Sequence, residues 1–225
     1  MTTAAAAAHP VGAVDRAHSA TRTVVATFGL VVSIAGLEHG IGEILAGPVA
    51  PPDLVFKSWP DAAAFEIIGG EPAMTIVPNL LVTGVLTVVV SVAFVIWSIG
   101  YAHRPRGAAG LLVLSVALLL MGGGLAPPVI GIILALVAAR IGVRGGTPGA
   151  IARRIAPAWR GALMAGVVGY LGLFPGTVLA SALFGFESEM IVIASGVLAF
   201  GGLFAAIAAA RAHDRLVAHG LPPGT

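Results

Sequence analysis

Apolar residues fill this chain in long, uninterrupted runs that short polar segments separate. The two clearest runs, Met74 to Ala102 and Gly107 to Ala139, contain no charged residue. Each is longer than the ~20 residues with which a helix crosses a hydrocarbon core of ~30 Å. Because the apolar positions are continuous rather than alternating, the pattern indicates transmembrane helices and excludes a barrel of strands.

These runs predict an all-α, polytopic bundle of six transmembrane helices. Helices three and four are short because the segment 122–128, with three glycines and two prolines, cannot continue a helix. A re-entrant hairpin is the alternative for this pair, since helices of about 15 residues rise only ~23 Å. The predicted spans are residues 23–45, 74–101, 108–121, 128–143, 160–184 and 190–211.

The distribution of charge orients this layout. Only 10% of the residues are charged, against about 25% in soluble domains. Eleven of the 12 Lys and Arg residues fall on one side of the six spans, and only Lys57 falls on the other. The positive-inside rule then predicts a multi-pass protein of the cell membrane with both termini in the cytoplasm. Its transmembrane domain covers residues 22–212, between a disordered tail (1–21) and a second cytoplasmic tail (213–225).

Two ionisable residues of the first predicted helix lie at membrane depth. Glu38 is 16 residues beyond Arg22, which is roughly 24 Å along a helix. A charged residue or histidine inside a span usually faces the protein interior or a water-filled cavity and marks a functional site. His39 and Glu43 are four residues apart and share a helix face, as a metal-binding pair or a proton-relay pair would. A purely structural hydrogen bond between the two is the alternative.

The loop from residue 47 to residue 73 carries further acidic groups. Ser58 is predicted as the N-cap of a short helix that the Gly69–Gly70 pair ends. This helix is expected to lie on the outer membrane surface, either as a lid or as an interfacial anchor. Glu66 lies on its polar side and Glu71 at its exit.

Together these features predict an outward-facing polar cavity. The breaks at 122–128 and at Pro175–Gly176 are expected to line it, because non-helical backbone at membrane depth is tolerated around cavities. Several carboxylates in a medium of low dielectric constant require protons or a divalent cation to neutralise them, and a metal is placed at His39 and Glu43. The candidate site residues are Glu38, His39, Glu43, Glu66, Glu71 and Asn79.

Three classes of function fit this pattern. The leading hypothesis is a small transporter or an ion- or proton-handling protein. The alternatives are a membrane-embedded enzyme acting on a lipid, isoprenoid or quinone, and a non-catalytic accessory or assembly subunit. The predicted partners are the lipid bilayer and a small ligand or cation from the outer side, with no nucleic acid. The chain contains no cysteine, which excludes disulfides, thiolate catalysis and cysteine-ligated metal centres.

Overall fold

A computed structural model describes residues 18–60, 62–143 and 145–222, and within them the chain is mostly helical. A small two-stranded sheet and short 3₁₀ and π segments interrupt the helices. In chain order the elements are α1 (Ala20–Ala46), β1 (Val55–Lys57), a 3₁₀ helix (Ala63–Ile68), β2 (Pro72–Met74), α2 (Leu80–Gly100), α3 (Gly107–Leu120), α4 (Ala126–Ala138), α5 (Ala150–Ile155), a 3₁₀ turn (Ala156–Ala158), α6 (Trp159–Leu171), a π turn (Gly172–Gly176), α7 (Thr177–Phe184) and α8 (Glu189–Ala218).

Four helical segments are long and apolar enough to cross a membrane. They are α1, α2, the continuous segment Ala150–Phe184 and α8. The helices α3 and α4 are equally apolar but shorter, with 14 and 13 residues. The chain is therefore an all-α membrane protein, as the sequence predicts. The count of six spans stays a prediction, because α3 and α4 are too short to be assigned as spans by length alone.

Small residues bring α1 and α2 into close contact along their length. An added Cβ on any of three α1 glycines would overlap α2, so a larger residue at these positions would push the helices apart. Serines of α2 fill part of this interface and are fully buried. The facing pairs are Gly29 with Ser98, Gly36 with Ser91 and Gly40 with Gly84.

One end of the bundle, here called the arginine end, gathers the helix termini that carry most of the basic residues. The Asp214 carboxylate accepts hydrogen bonds from the backbone N–H groups of Ala20 (2.8 Å) and Thr21 (3.0 Å). The guanidinium of Arg22 donates to the carbonyl of Ile99 at 3.0 Å. The end of α8 is thereby fixed to the start of α1, and α1 to the end of α2.

Both predicted tails contribute to this end. Helix α1 begins at Ala20, with Ser19 as its N-cap, so the last residues of the predicted 1–21 tail belong to the helix. Helix α8 continues to Ala218, beyond the predicted end at residue 211 and into the predicted tail 213–225. The extension has a physical reason, because Asp214 caps α1 from this added stretch. Residues 1–17 and 223–225 lie outside the described residues.

The opposite end, here called the hairpin end, is built on the antiparallel strands β1 and β2. Their register pairs Val55 with Met74 and Lys57 with Pro72. The break between α3 and α4 adds to the other edge of β2. The N–H of Gly122 donates to the carbonyl of Met74 at 2.9 Å, and the N–H of Leu125 donates to that of Pro72 at 3.1 Å. The glycine-rich break is therefore ordered backbone at the edge of the hairpin.

Two sequence predictions at this end are wrong. Helix two begins at Leu80 rather than Met74, because Pro72–Met74 pairs as a strand and the Asn79 side chain caps the helix by accepting from the N–H of Val82 (3.1 Å). The short helix is 3₁₀ and begins at Ala63 without a side-chain cap. Ser58 instead follows β1 and is buried.

The orientation can be tested by labelling. Asp53 at the hairpin end and Thr147 at the arginine end are both exposed, and the chain has no native cysteine. If the arginine end is cytoplasmic, Asp53→Cys should react with an impermeant thiol reagent in intact cells, and Thr147→Cys only after permeabilisation. The reverse pattern would contradict the orientation.

Candidate carboxylate–imidazole site

The site is centred on His39, whose side chain is only 1% exposed. Its Nε2 atom lies 3.2 Å from Oε2 of Glu71 and 4.0 Å from Oε2 of Glu38. Among the described residues, these three form the group of His, Asp or Glu side chains that could hold a metal ion, with one ligand atom of each within 4.8 Å of the others. We call them the Glu38–His39–Glu71 cluster.

The backbone presents Glu71 to this cluster in an unusual conformation. Gly69, Gly70 and Glu71 all have positive φ angles, of 76°, 70° and 54°. The first two are glycines, which adopt this region freely, whereas a glutamate there costs free energy. Hydrogen bonds from the two residues after β1 hold the turn: the N–H of Ser58 donates to the carbonyl of Glu71 (3.0 Å), and the N–H of Trp59 donates to the carbonyl of Gly70 (3.3 Å). Backbone strain that neighbouring hydrogen bonds maintain is typical of functional sites.

Side chains next to β1 orient the other two members of the cluster. Oγ of Ser58 lies 2.9 Å from Nδ1 of His39, the ring nitrogen on the side away from the carboxylates. The indole N–H of Trp59 donates to Oε1 of Glu38. Trp59 in turn stacks on Phe65 of the 3₁₀ helix, with ring centroids 4.6 Å apart. The short helix therefore buttresses the tryptophan that positions Glu38.

The glycine-rich break packs directly against the face of α1 that carries His39 and Glu43. An added Cβ at Gly124 would overlap the His39 ring, and one at Gly122 would overlap the Glu43 carboxylate. Both glycines have positive φ angles, 80° and 94°, so alanine would be strained there whatever the space. The break brings backbone, rather than side chains, against the two ionisable groups.

Glu43 lies outside the Glu38–His39–Glu71 cluster. It is fully buried, and neither of its carboxylate oxygens makes a hydrogen bond of acceptable geometry with any described residue. The hydroxyl groups of Ser58 and Thr87 face it. The sequence predicts a metal at His39 and Glu43 because they are four residues apart, but the ring of His39 turns its Nε2 towards Glu38 and Glu71. The ligand set that the structure brings together is therefore a different one.

The other two candidate residues are engaged elsewhere. Both carboxylate oxygens of Glu66 contact Nζ of Lys57, at 2.9 and 3.0 Å, and both side chains are about half exposed. Asn79 is the cap of α2.

Sequence reasoning groups Glu38, His39 and Glu71 but misses Ser58, Trp59 and Tyr170 as site residues. In the sequence, the adjacency of Ser58 and Trp59 indicates only the start of a helix.

Because the Lys57–Glu66 ion pair is exposed, we expect mutation of Glu66 to have only a weak effect on stability. We expect Glu66→Gln to lower the free energy of unfolding by less than ~1 kcal/mol, because solvent screens such pairs. Thermal unfolding in detergent measures this, with Lys57→Gln as the matched variant. A loss of several kcal/mol would contradict the exposed placement.

A cavity of about 370 Å³ opens beside the cluster. Its walls come from α1, α4, α8 and the region of the π turn, and they are apolar except for the cluster and Tyr170. The Tyr170 hydroxyl is buried and has no hydrogen-bond partner among the described residues. Pro175 has no N–H for the carbonyl of Leu171, and the π turn that contains Pro175 presents Leu173 and Phe174 to the cavity.

No protein-family model, curated protein sequence or solved structure matches this chain. Its function is therefore inferred from the geometry of the site.

Proposed function

We propose that the protein binds a divalent metal ion at the Glu38–His39–Glu71 cluster and acts as a membrane-embedded, metal-dependent enzyme. The observation that carries this proposal is the convergence of one imidazole nitrogen and two carboxylates within 4.8 Å of one another. Nitrogen and carboxylate ligands suit borderline divalent ions such as Zn²⁺, Mn²⁺ and Fe²⁺. Three protein ligands leave a coordination position for a substrate, as in catalytic sites.

The surroundings of His39 support a metal ligand. Histidine ligands usually fix their second ring nitrogen by a hydrogen bond. In this site Oγ of Ser58 lies within hydrogen-bonding distance of Nδ1 of His39. When Nδ1–H donates to Ser58, the lone pair of Nε2 faces the carboxylates of Glu38 and Glu71. Three acceptors facing one another in a buried site repel unless a proton or a cation lies between them. A divalent ion would also neutralise both carboxylates.

Catalysis at one end of the bundle is better supported than transport, the leading sequence hypothesis. A proton relay or an ion path that is lined by charges needs ionisable groups along its length. No Asp, Glu, Lys, Arg or His occurs between Arg22 and Glu38, or in the ranges 74–102, 107–139, 161–186 and 190–210. All ionisable groups at depth therefore lie near the hairpin end, and the apolar cavity beside them favours a lipid-soluble substrate.

Metal binding tests the proposal. The protein, purified without a polyhistidine tag and stripped with a chelator, should take up one Zn²⁺, Mn²⁺ or Co²⁺ per chain in calorimetric titration. His39→Ala should weaken this binding by at least ~100-fold, since loss of a group that only orients a ligand already costs roughly 10–100-fold. His219→Ala is the matched control, because His219 is exposed at the arginine end.

Two results would contradict the proposal. One is the absence of stoichiometric binding of all three ions. The other is equal binding by the wild type, His39→Ala and His219→Ala, which would place the metal outside the cluster. Co²⁺ adds a spectroscopic check, because its visible absorption should change with His39→Ala and not with His219→Ala.

A further inference from the structure

Tyr170 has no role in holding the Glu38–His39–Glu71 cluster together, yet it lies in the wall of the same cavity. Its hydroxyl oxygen is buried without a described partner, although a buried hydroxyl normally has one. The ring contacts that of Phe174, with centroids 6.3 Å apart. Tyr170 lines the cavity, and a buried hydroxyl without a partner on a lining residue points to a ligand atom that completes its hydrogen bonding when the cavity is occupied.

The shape and lining of the cavity restrict the chemistry of that ligand. The volume of about 370 Å³ lies within the roughly 300–1,000 Å³ of small-molecule pockets. Phe28, Phe174 and Phe200 line it together with Tyr170, and aromatic side chains stack well on a flat ring. The largely apolar walls disfavour a charged head group such as a phosphate or a fatty acid carboxylate. A neutral ring that carries oxygen atoms and an apolar tail fits all these features.

We propose that the cavity binds an isoprenoid quinone or its quinol, with a ring oxygen at the Tyr170 hydroxyl. A quinone carbonyl accepts from the tyrosine, and a quinol hydroxyl can also donate to the carboxylates of Glu38 or Glu71. The apolar tail lies among the apolar residues of α1, α4 and α8. The inference deepens the proposed function by naming a substrate class, but the Tyr170 contact does not itself require a metal.

Binding of decylubiquinone, a quinone with a short tail, tests this inference. The tryptophan fluorescence of the protein in nanodiscs should be quenched in a saturable way on titration, with empty nanodiscs as the blank. Tyr170→Phe removes one oxygen and should weaken binding about fivefold to tenfold, the loss expected for one hydrogen bond. Tyr101→Phe is the matched control, because Tyr101 is 40% exposed and stacks on Trp97 at the arginine end. Decylbenzene, which lacks the oxygens, should not compete.

A second variant fills the cavity without changing its polar groups. Ala35 lines the cavity and is buried, so Ala35→Leu should reduce decylubiquinone binding more than metal binding. Equal binding by the wild type, Tyr170→Phe and Ala35→Leu would overturn the inference. So would effective competition by decylbenzene, which would show that the cavity accepts any hydrocarbon.

The two proposals fail separately. Saturable binding of decylubiquinone that depends on Tyr170, in a protein that takes up no metal, would support the quinone site and contradict the metal-dependent function. Metal binding that depends on His39, without saturable decylubiquinone binding, would support the metal site and overturn the quinone inference. Both measurements are made on the full chain.

Discussion

Replacing Gly124 with alanine is expected to abolish metal binding and to lower the free energy of unfolding by about 2–5 kcal/mol. The backbone term is ~1–2 kcal/mol for a side chain at positive φ, and overpacking in a buried site adds about 1–3 kcal/mol. Gly124 has a φ of 80°, and its added Cβ would overlap the His39 ring. The ring must then turn, which removes Nε2 from the carboxylates.

Gly69 provides a control that separates these two terms. Its φ of 76° is almost the same, but an added Cβ there meets nothing within 4 Å. We expect Gly69→Ala to cost only the backbone term of ~1–2 kcal/mol and to keep metal binding. Calorimetric titration and thermal unfolding of both variants measure the difference. If Gly69→Ala impaired metal binding as much as Gly124→Ala, the contact with His39 would not be the cause.

Replacing Glu71 with glycine should weaken metal binding but stabilise the metal-free protein. The change removes one ligand of the cluster, so we expect metal affinity to fall by at least ~100-fold, beyond the roughly 10–100-fold of an orienting group. Glycine also relieves the φ of 54° at this position. A non-glycine residue in this region costs about 1–3 kcal/mol, against ~0.5–1 kcal/mol for the greater flexibility of glycine. The metal-free variant should therefore be more stable than the metal-free wild type by about 1 kcal/mol.

Glu71→Gln is the matched variant, because it removes the charge but keeps the strained backbone. It should lose metal binding without the gain from relieved backbone strain. Thermal unfolding of the chelator-treated proteins compares the two variants. A metal-free Glu71→Gly protein that is less stable than both the wild type and Glu71→Gln would show that the side chain of Glu71 has a structural role that outweighs its strain.

The sequence was sufficient for the features that depend on local pattern. Charge-free runs predicted the apolar helices, and the residues at 122–128 predicted the break between α3 and α4. These two inferences are confirmed because hydrophobic length and helix-breaking residues act within a few turns of chain. Depth along α1 favoured Glu38 and His39 as site residues, and this stays a prediction.

The arrangement of the site could not be read in the same way. The strands Val55–Lys57 and Pro72–Met74 have three residues each, too few for an alternating pattern to be recognised. Pairing them turns Ser58 towards His39 and carries Glu71 to the same ring. Spacing along α1 favoured Glu43 as the partner of His39, whereas contacts with distant residues decide which carboxylates the ring faces.

The parts of the site lie far apart in the chain and are therefore synthesised at different times, which affects how the protein inserts into the membrane. Helix α1 is made first and carries Glu38 and Glu43 into the membrane, whereas Trp59, Thr87 and the glycine-rich break follow later in the chain. An ionised acid costs roughly 2.5–3.5 kcal/mol at the middle of a span on insertion scales, and less towards the end of the helix, where Glu38 and Glu43 lie. Nascent α1 is therefore a weaker membrane segment until α2 emerges and packs against it, and the two helices should leave the translocation machinery as a pair.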